Sequence, residues 1–157
     1  MEKIPMTLKG YQKLQEKIRY LKNVERPQII ESIASAMSMG DLSENAEYDA
    51  AKNKQGLTEA NILYLEDKLS KAEVIDPSKI NSKSIKFGAT IELLDEETNA
   101  ISKFQIVGSD EADIKNGFLP ITSPIAKALI GREEGNSIEV NTPNGLKYYE
   151  IVRVSYL

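Results

Sequence analysis

The sequence predicts an α+β chain of two domains, an antiparallel helical hairpin over residues 1–76 followed by a small α+β domain over 77–157. Three observations support this. Apolar residues recur at helical spacing as far as Val74, the pattern turns strand-like after Pro77, and Asp76-Pro77-Ser78 is the one clear seam between the two regimes.

The first helix is expected from Thr7 to about Ala36. Leu8, Tyr11, Leu14, Ile18 and Leu21 step by three and four, and Ile29, Ile33 and Ala36 resume after a phase shift. Pro27 lies inside this stretch, so a kink is expected near Val24 to Pro27, or else a break into two helices. A second helical pattern runs from about Leu42 to Val74, with Gly40 as the stop of the first helix and Asp41 as the N-cap of the second. So short a connection makes the helices antiparallel. At 1.5 Å per residue each arm would be about 45 Å long, so the hairpin is expected to project as a thin rod.

Beyond Pro77, strands are expected at Ile85 to Phe87, Ala89 to Leu94 and Ile101 to Val107, with Glu96-Glu97-Thr98-Asn99 connecting the last two. Ser123 is suited to cap a short helix with Pro124 at its first position and Gly131 at its end. Strands Ser137 to Asn141 and Leu146 to Val154 flank Pro143-Asn144-Gly145, a hairpin signal.

Composition narrows the chemistry. The chain has no Cys and no His, which removes thiol nucleophiles, disulfides, Cys/His zinc sites and Ser-His-Asp triads. Any reaction must use carboxylates, hydroxyls, lysines or a bound ion. With neither a signal-peptide pattern nor an apolar run of about 18 residues, the protein is expected in the cytoplasm and away from membranes. A net charge of −4 identifies no partner, but charge is segregated along the hairpin: residues 9–26 hold six bases and two acids, whereas residues 27–51 hold five acids and no base.

Those acids surround the apex, Gly40-Asp41-Leu42-Ser43-Glu44-Asn45-Ala46-Glu47-Tyr48-Asp49. One reading is structural: an N-cap Asp followed three residues later by Glu is a relative of the capping box, and acids favour a helix N-terminus. The other is chemical. Asp41 and Glu44 set two carboxylates side by side with no base nearby in sequence, and Mg²⁺ commonly takes only one or two carboxylates from a protein and completes its six oxygens elsewhere. Such a pair would act inside another molecule's site. Elsewhere, Asp110-Glu111-Ala112-Asp113 spells a helicase motif in letters only, since no phosphate-binding Gly-Lys loop accompanies it.

The segments Ile4-Pro5-Met6-Thr7 with Gly10 and Leu14, the apex Gly40 to Tyr48, Phe87-Gly88-Ala89, Ser123-Pro124-Ile125-Ala126 and Leu129-Ile130-Gly131 resemble bacterial transcript-cleavage factors of the Gre family along the whole chain. Within it, Asp49-Ala50-Ala51-Lys52 is nearer the GreA than the GreB type. The resemblance implies a C-terminal domain similar to the FK506-binding-protein fold that docks at the secondary channel of RNA polymerase, with Ser123 and Pro124 at the docking surface. It further implies that Asp41 and Glu44 help hold a second Mg²⁺ of the polymerase centre, that Lys52 contacts the nascent RNA 3′ segment, and that a monomer stimulates the polymerase's own cleavage of backtracked RNA without being an enzyme itself. Met37 stands where family members commonly carry a base. A coiled-coil chaperone or scaffold is the competing reading, although a chaperone tip should be apolar and this one carries four acids between positions 41 and 49. A prolyl isomerase is disfavoured by the absence of Trp and the scatter of Phe87, Phe104 and Phe118.

Overall fold

The computed structural model describes residues 2–40 and 45–157, which divide into two compact units. The first holds residues 11–72 and is the antiparallel hairpin. The second holds residues 73–157 together with residues 2–10, so the N-terminal segment belongs to the C-terminal unit rather than to the hairpin, unlike the 76/77 division read from sequence. Pairing explains the difference. β1 (Ile4–Thr7) forms a two-stranded sheet with β2 (Ala72–Ile75), where the sequence suggested the end of a helix. Val74 and Ile75 are β-branched, and Pro77 biases the chain before it away from helix.

The first arm is α1 (Leu8–Tyr20), a π-helical turn at Leu21–Glu25, and α2 (Arg26–Met37), joined without a break. This accounts for the phase slip. A π turn holds one residue more than an α turn, so a stripe through Ile18 and Leu21 resumes one position late, at Ile29, Ile33 and Ala36. It also accommodates Pro27, whose ring would collide with the carbonyl four residues earlier in a regular helix. The Arg26 N–H donates to the Leu21 carbonyl, the five-residue span of a π turn.

The second arm is α3 (Ala46–Lys71). Ile18, Leu21, Ile62 and Leu65 form a buried seam between the arms, extended by Leu14 and Leu69. Polar bonds flank it: Lys22 Nζ lies 3.1 Å from Glu66 Oε2, and Arg26 Nη2 lies 2.8 Å from Glu59 Oε2. Two members of the basic face of the first arm thus serve to zip the hairpin.

In the second unit, β3 (Thr90–Asp95), β4 (Ile101–Val107), β5 (Phe118–Pro120), β6 (Ser137–Thr142) and β7 (Gly145–Ser155) form one sheet in the order β5-β4-β3-β7-β6. All pairs are antiparallel except β4 with β5. The short α4 (Pro124–Leu129) covers the sheet, and Ile85, Ala89, Ile91, Leu93, Ile106, Ala126, Leu129 and Ile151 are buried completely or nearly so. Two expectations change here. Ile85 to Phe87 is not a strand: the Ile85 amide donates to the Arg132 carbonyl at 2.7 Å and its carbonyl accepts from the Gly131 amide at 2.8 Å, so the segment is tied to the loop after α4 instead. β5 was not anticipated, because a three-residue strand has no periodicity to read.

The expected turns form. Thr142 pairs with Gly145 across Pro143-Asn144. Between β3 and β4, Asp95 Oδ1 accepts from the Glu97 amide at 2.9 Å and the Thr98 amide at 3.3 Å. The Glu97 bond foremost holds the Asp95 carboxyl below its ordinary value.

Candidate functional site

The chain leaves the first arm through Ser38 and returns at Asn45. The Ser38 amide is bonded to the Ala34 and Ser35 carbonyls at 3.2 Å, the Met39 amide to the Ala36 carbonyl at 3.1 Å, and Gly40 has φ +126°, a conformation that favours glycine. On the return side, Asn45 makes two side-chain bonds. Its Oδ1 accepts from the Tyr48 amide at 3.0 Å, capping α3, and its Nδ2 donates to the Ala36 carbonyl at 2.6 Å, closing the base of the connection. Ser38, Met39 and Asn45 are therefore each bonded to helix backbone.

Asp41 and Glu44 lie outside the described residues. The structure nevertheless bears on the structural reading of them, because α3 begins at Ala46 and its N-cap is Asn45, not the expected Asp41. Capping of α3 therefore gives no reason for an acid at position 41. The first turn of α3 adds Glu47 and Asp49, both exposed, where the helix dipole favours them. Replacing Asn45 by Ala should lower hairpin stability by about 1–2 kcal/mol, through loss of the cap and of the Ala36 bond, measurable as a reduced urea midpoint.

Among the described residues no cluster of three or more His, Cys, Asp or Glu could hold a metal ion. An open polar groove near the apex is lined by Gln28, Glu31, Ser32, Ser35, Ala36 and Glu47. The pair read from the sequence, Asp41 and Glu44, would add two carboxylates and leave the other oxygens of a Mg²⁺ shell to come from elsewhere. As hard, charged oxygen donors, they fit part of a Mg²⁺ shell.

Lys52 is exposed on α3 and donates to Gln55 Oε1 at 3.1 Å, seven residues from the cap and so about 10 Å along the helix. Met37 and Met39 are exposed at the end of the first arm. In the second unit Ser123 caps α4, its Oγ accepting from the Ala126 amide at 3.1 Å, and Pro124 follows at the first helical position, exposed. Ser123→Ala should destabilise this unit by about 1 kcal/mol, seen as a small drop in melting temperature.

Sequence reading missed two residues. Asn45 was overlooked because Asp41 offered an equally good cap four positions earlier. Glu111 was set aside as part of a chance motif, yet its carboxylate accepts from the Thr7 amide at 3.0 Å, from the Thr7 hydroxyl, and from the Gly108 amide at 2.9 Å. A signal existed: Thr7-Leu8-Lys9-Gly10 starts a helix with a capping Thr but places Gly where a capping box has Glu.

Residues 4–74 match the family described as "Transcription elongation factor, N-terminal", and residues 80–156 match "Transcription elongation factor, GreA/GreB, C-term". The chain belongs to the GreA/GreB family of transcription elongation factors. Transcription elongation factor GreA of Phenylobacterium zucineum is 54% identical over the full length of both chains. The GreA of Caulobacter vibrioides is 53% identical, again over 100% of each. Among solved structures, the GreA factor homolog Gfh1 of Thermus thermophilus covers 98% of this chain and 99% of its own at 24% identity, with a TM-score of 0.44. This GreA/GreB-family chain is thus a two-domain α+β transcription elongation factor, as the resemblance implied. Among its described residues no helix is long and apolar enough to cross a membrane.

Proposed function

We propose that this elongation factor binds RNA polymerase at its secondary channel and stimulates the polymerase's own cleavage of the 3′ end of backtracked nascent RNA. Asp41 and Glu44 would donate carboxylate oxygens to a Mg²⁺ held jointly with the polymerase. When bound there, the ion would supply charge neutralisation at the reacting phosphate and help generate the attacking nucleophile.

The observation that carries this reading is the capping of α3 by Asn45. With that role filled, the acids at 41 and 44 are left with their charge as the property to explain. Asn45 also ties the return of the chain to the first arm through its bond to the Ala36 carbonyl. Lys52, on the exposed surface of α3, would attract the phosphate backbone of the extruded RNA. Ser123 and Pro124, held at the start of α4, would belong to the surface that docks on the polymerase.

The chain would accordingly be no enzyme by itself. It would act in the cytoplasm as a monomer that supplies a removable set of ligands to a catalytic centre elsewhere. The test is a cleavage assay on halted, backtracked polymerase complexes with the parent factor, Asp41→Asn and Glu44→Gln. Equal stimulation by all three would refute the assignment. Stimulation by none, the parent included, would refute the function.

A further inference from the structure

We infer that Glu111 is a positioning residue for cleavage stimulation: it anchors the first turn of α1, the helix that leads toward the apex, by completing that helix's capping box from a site 104 residues away in sequence. In a local capping box the N-cap hydroxyl accepts from the amide three residues on, and a Glu at that third position accepts from the N-cap amide. Here the first half is local, with the Gly10 amide donating to Thr7 Oγ1 at 3.1 Å. The second half is supplied by Glu111 Oε2, which accepts from the Thr7 amide at 3.0 Å, while Oε1 accepts from the Thr7 hydroxyl.

Two glycines make room for this arrangement. A Cβ on Gly10 would overlap the Glu111 carboxylate, and a Cβ on Gly108 would lie 2.5 Å from the Pro5 carbonyl oxygen. Glu111 is itself oriented by the Gly108 amide, at 2.9 Å. The carboxylate thus has three donors, and Thr7 is almost wholly buried beneath it. All these groups belong to the second unit, whereas α1 continues unbroken from Leu8 to Tyr20 into the first. An anchor at the first turn therefore fixes the end of a helix that runs on without a break as far as Tyr20.

This inference rests on the function proposed above, and its test separates the two. Gly10→Ala is the informative variant. Alanine favours helix over glycine, so the helix itself is not weakened, while the added methyl expels a flexible carboxylate. Relative to the parent, Gly10→Ala and Glu111→Ala should speed hydrogen exchange at the Thr7 amide by about tenfold or more. Stimulation of cleavage at saturating factor should fall on the order of tenfold, with the half-saturating concentration unchanged. Thr7→Ser, which keeps the hydroxyl, should behave as the parent, and Gly10→Ala combined with Glu111→Ala should be no worse than Glu111→Ala alone. Unchanged exchange at Thr7 in Gly10→Ala would overturn the anchor. Full stimulation by both single variants, or a loss that disappears on adding more factor, would overturn its positioning role. A parent that fails to stimulate refutes the proposed function instead, and the exchange result still decides the anchor.

Discussion

Asp41→Asn should fold and bind polymerase like the parent while losing most of its ability to stimulate RNA cleavage, and Glu44→Gln should do the same. The expected loss is at least on the order of tenfold for each, the size of effect seen when even the outer partners of a metal site are altered. Asparagine matches aspartate in shape and as a helix cap but offers no charge to a divalent ion. Because α3 is capped by Asn45, neither substitution touches that cap, and thermal unfolding should be superimposable on the parent. Raising Mg²⁺ should recover part of the lost stimulation if the variants bind the ion more weakly. A cleavage time course at several Mg²⁺ concentrations, with affinity measured separately by competition, distinguishes a defect in chemistry from a defect in docking.

Leu93→Ala should be the most damaging conservative change to the fold. Leu93 is 1% exposed and pairs across the sheet with Ile151, which is fully buried, in the cluster that also holds Ile91, Ile106 and Leu129. Truncating a buried Leu costs about 2–5 kcal/mol, because transfer free energy is lost and a cavity remains. Domains commonly have only 5–15 kcal/mol in total. The urea midpoint of the second unit should therefore fall steeply, and polymerase binding should weaken at 37 °C in proportion to the unfolded fraction. An unchanged midpoint would mean that the sheet repacks around the missing atoms.

The parts of the fold legible in the sequence are those in which side-chain period and backbone structure agree. The stripe of Leu14, Ile18 and Leu21 along the first arm and the apolar, β-branched runs of β3, β4 and β7 read directly as helix and strand. The slip between Leu21 and Ile29 was also visible, and Pro27 was the correct place to look. A π turn lies there, and its one added residue absorbs both the ring and the offset. β1 and β2 were illegible for a different reason. Four-residue strands that pair across the length of the hairpin leave no local pattern, and Ala72 and Glu73 are good helix formers that continue the preceding helix smoothly.

The candidate site divides in a similar way. Its acids and the cap at Ser123 are residue types with a known preference, so they can be proposed from the letters alone, whereas Asn45 emerges as the cap of α3 only from the coordinates. Glu111 could not have been found by looking near Thr7, since hydrogen bonding between distant residues has no sequence signature. The mismatched Gly10 was the only trace.

The distance between Thr7 and Glu111 along the chain also has a consequence for biosynthesis. A local capping box is complete within moments of its residues leaving the ribosome. This one waits for a further 104 residues, about 5–20 s at ordinary translation rates. Until then the first turn of α1 lacks half of its end-stop and should fray, and β1 has to remain unpaired until Ala72–Ile75 emerges. The nascent chain therefore completes its first turn only after the whole hairpin has been made, and a ribosome stalled before position 111 would hold an α1 whose first turn is still loose.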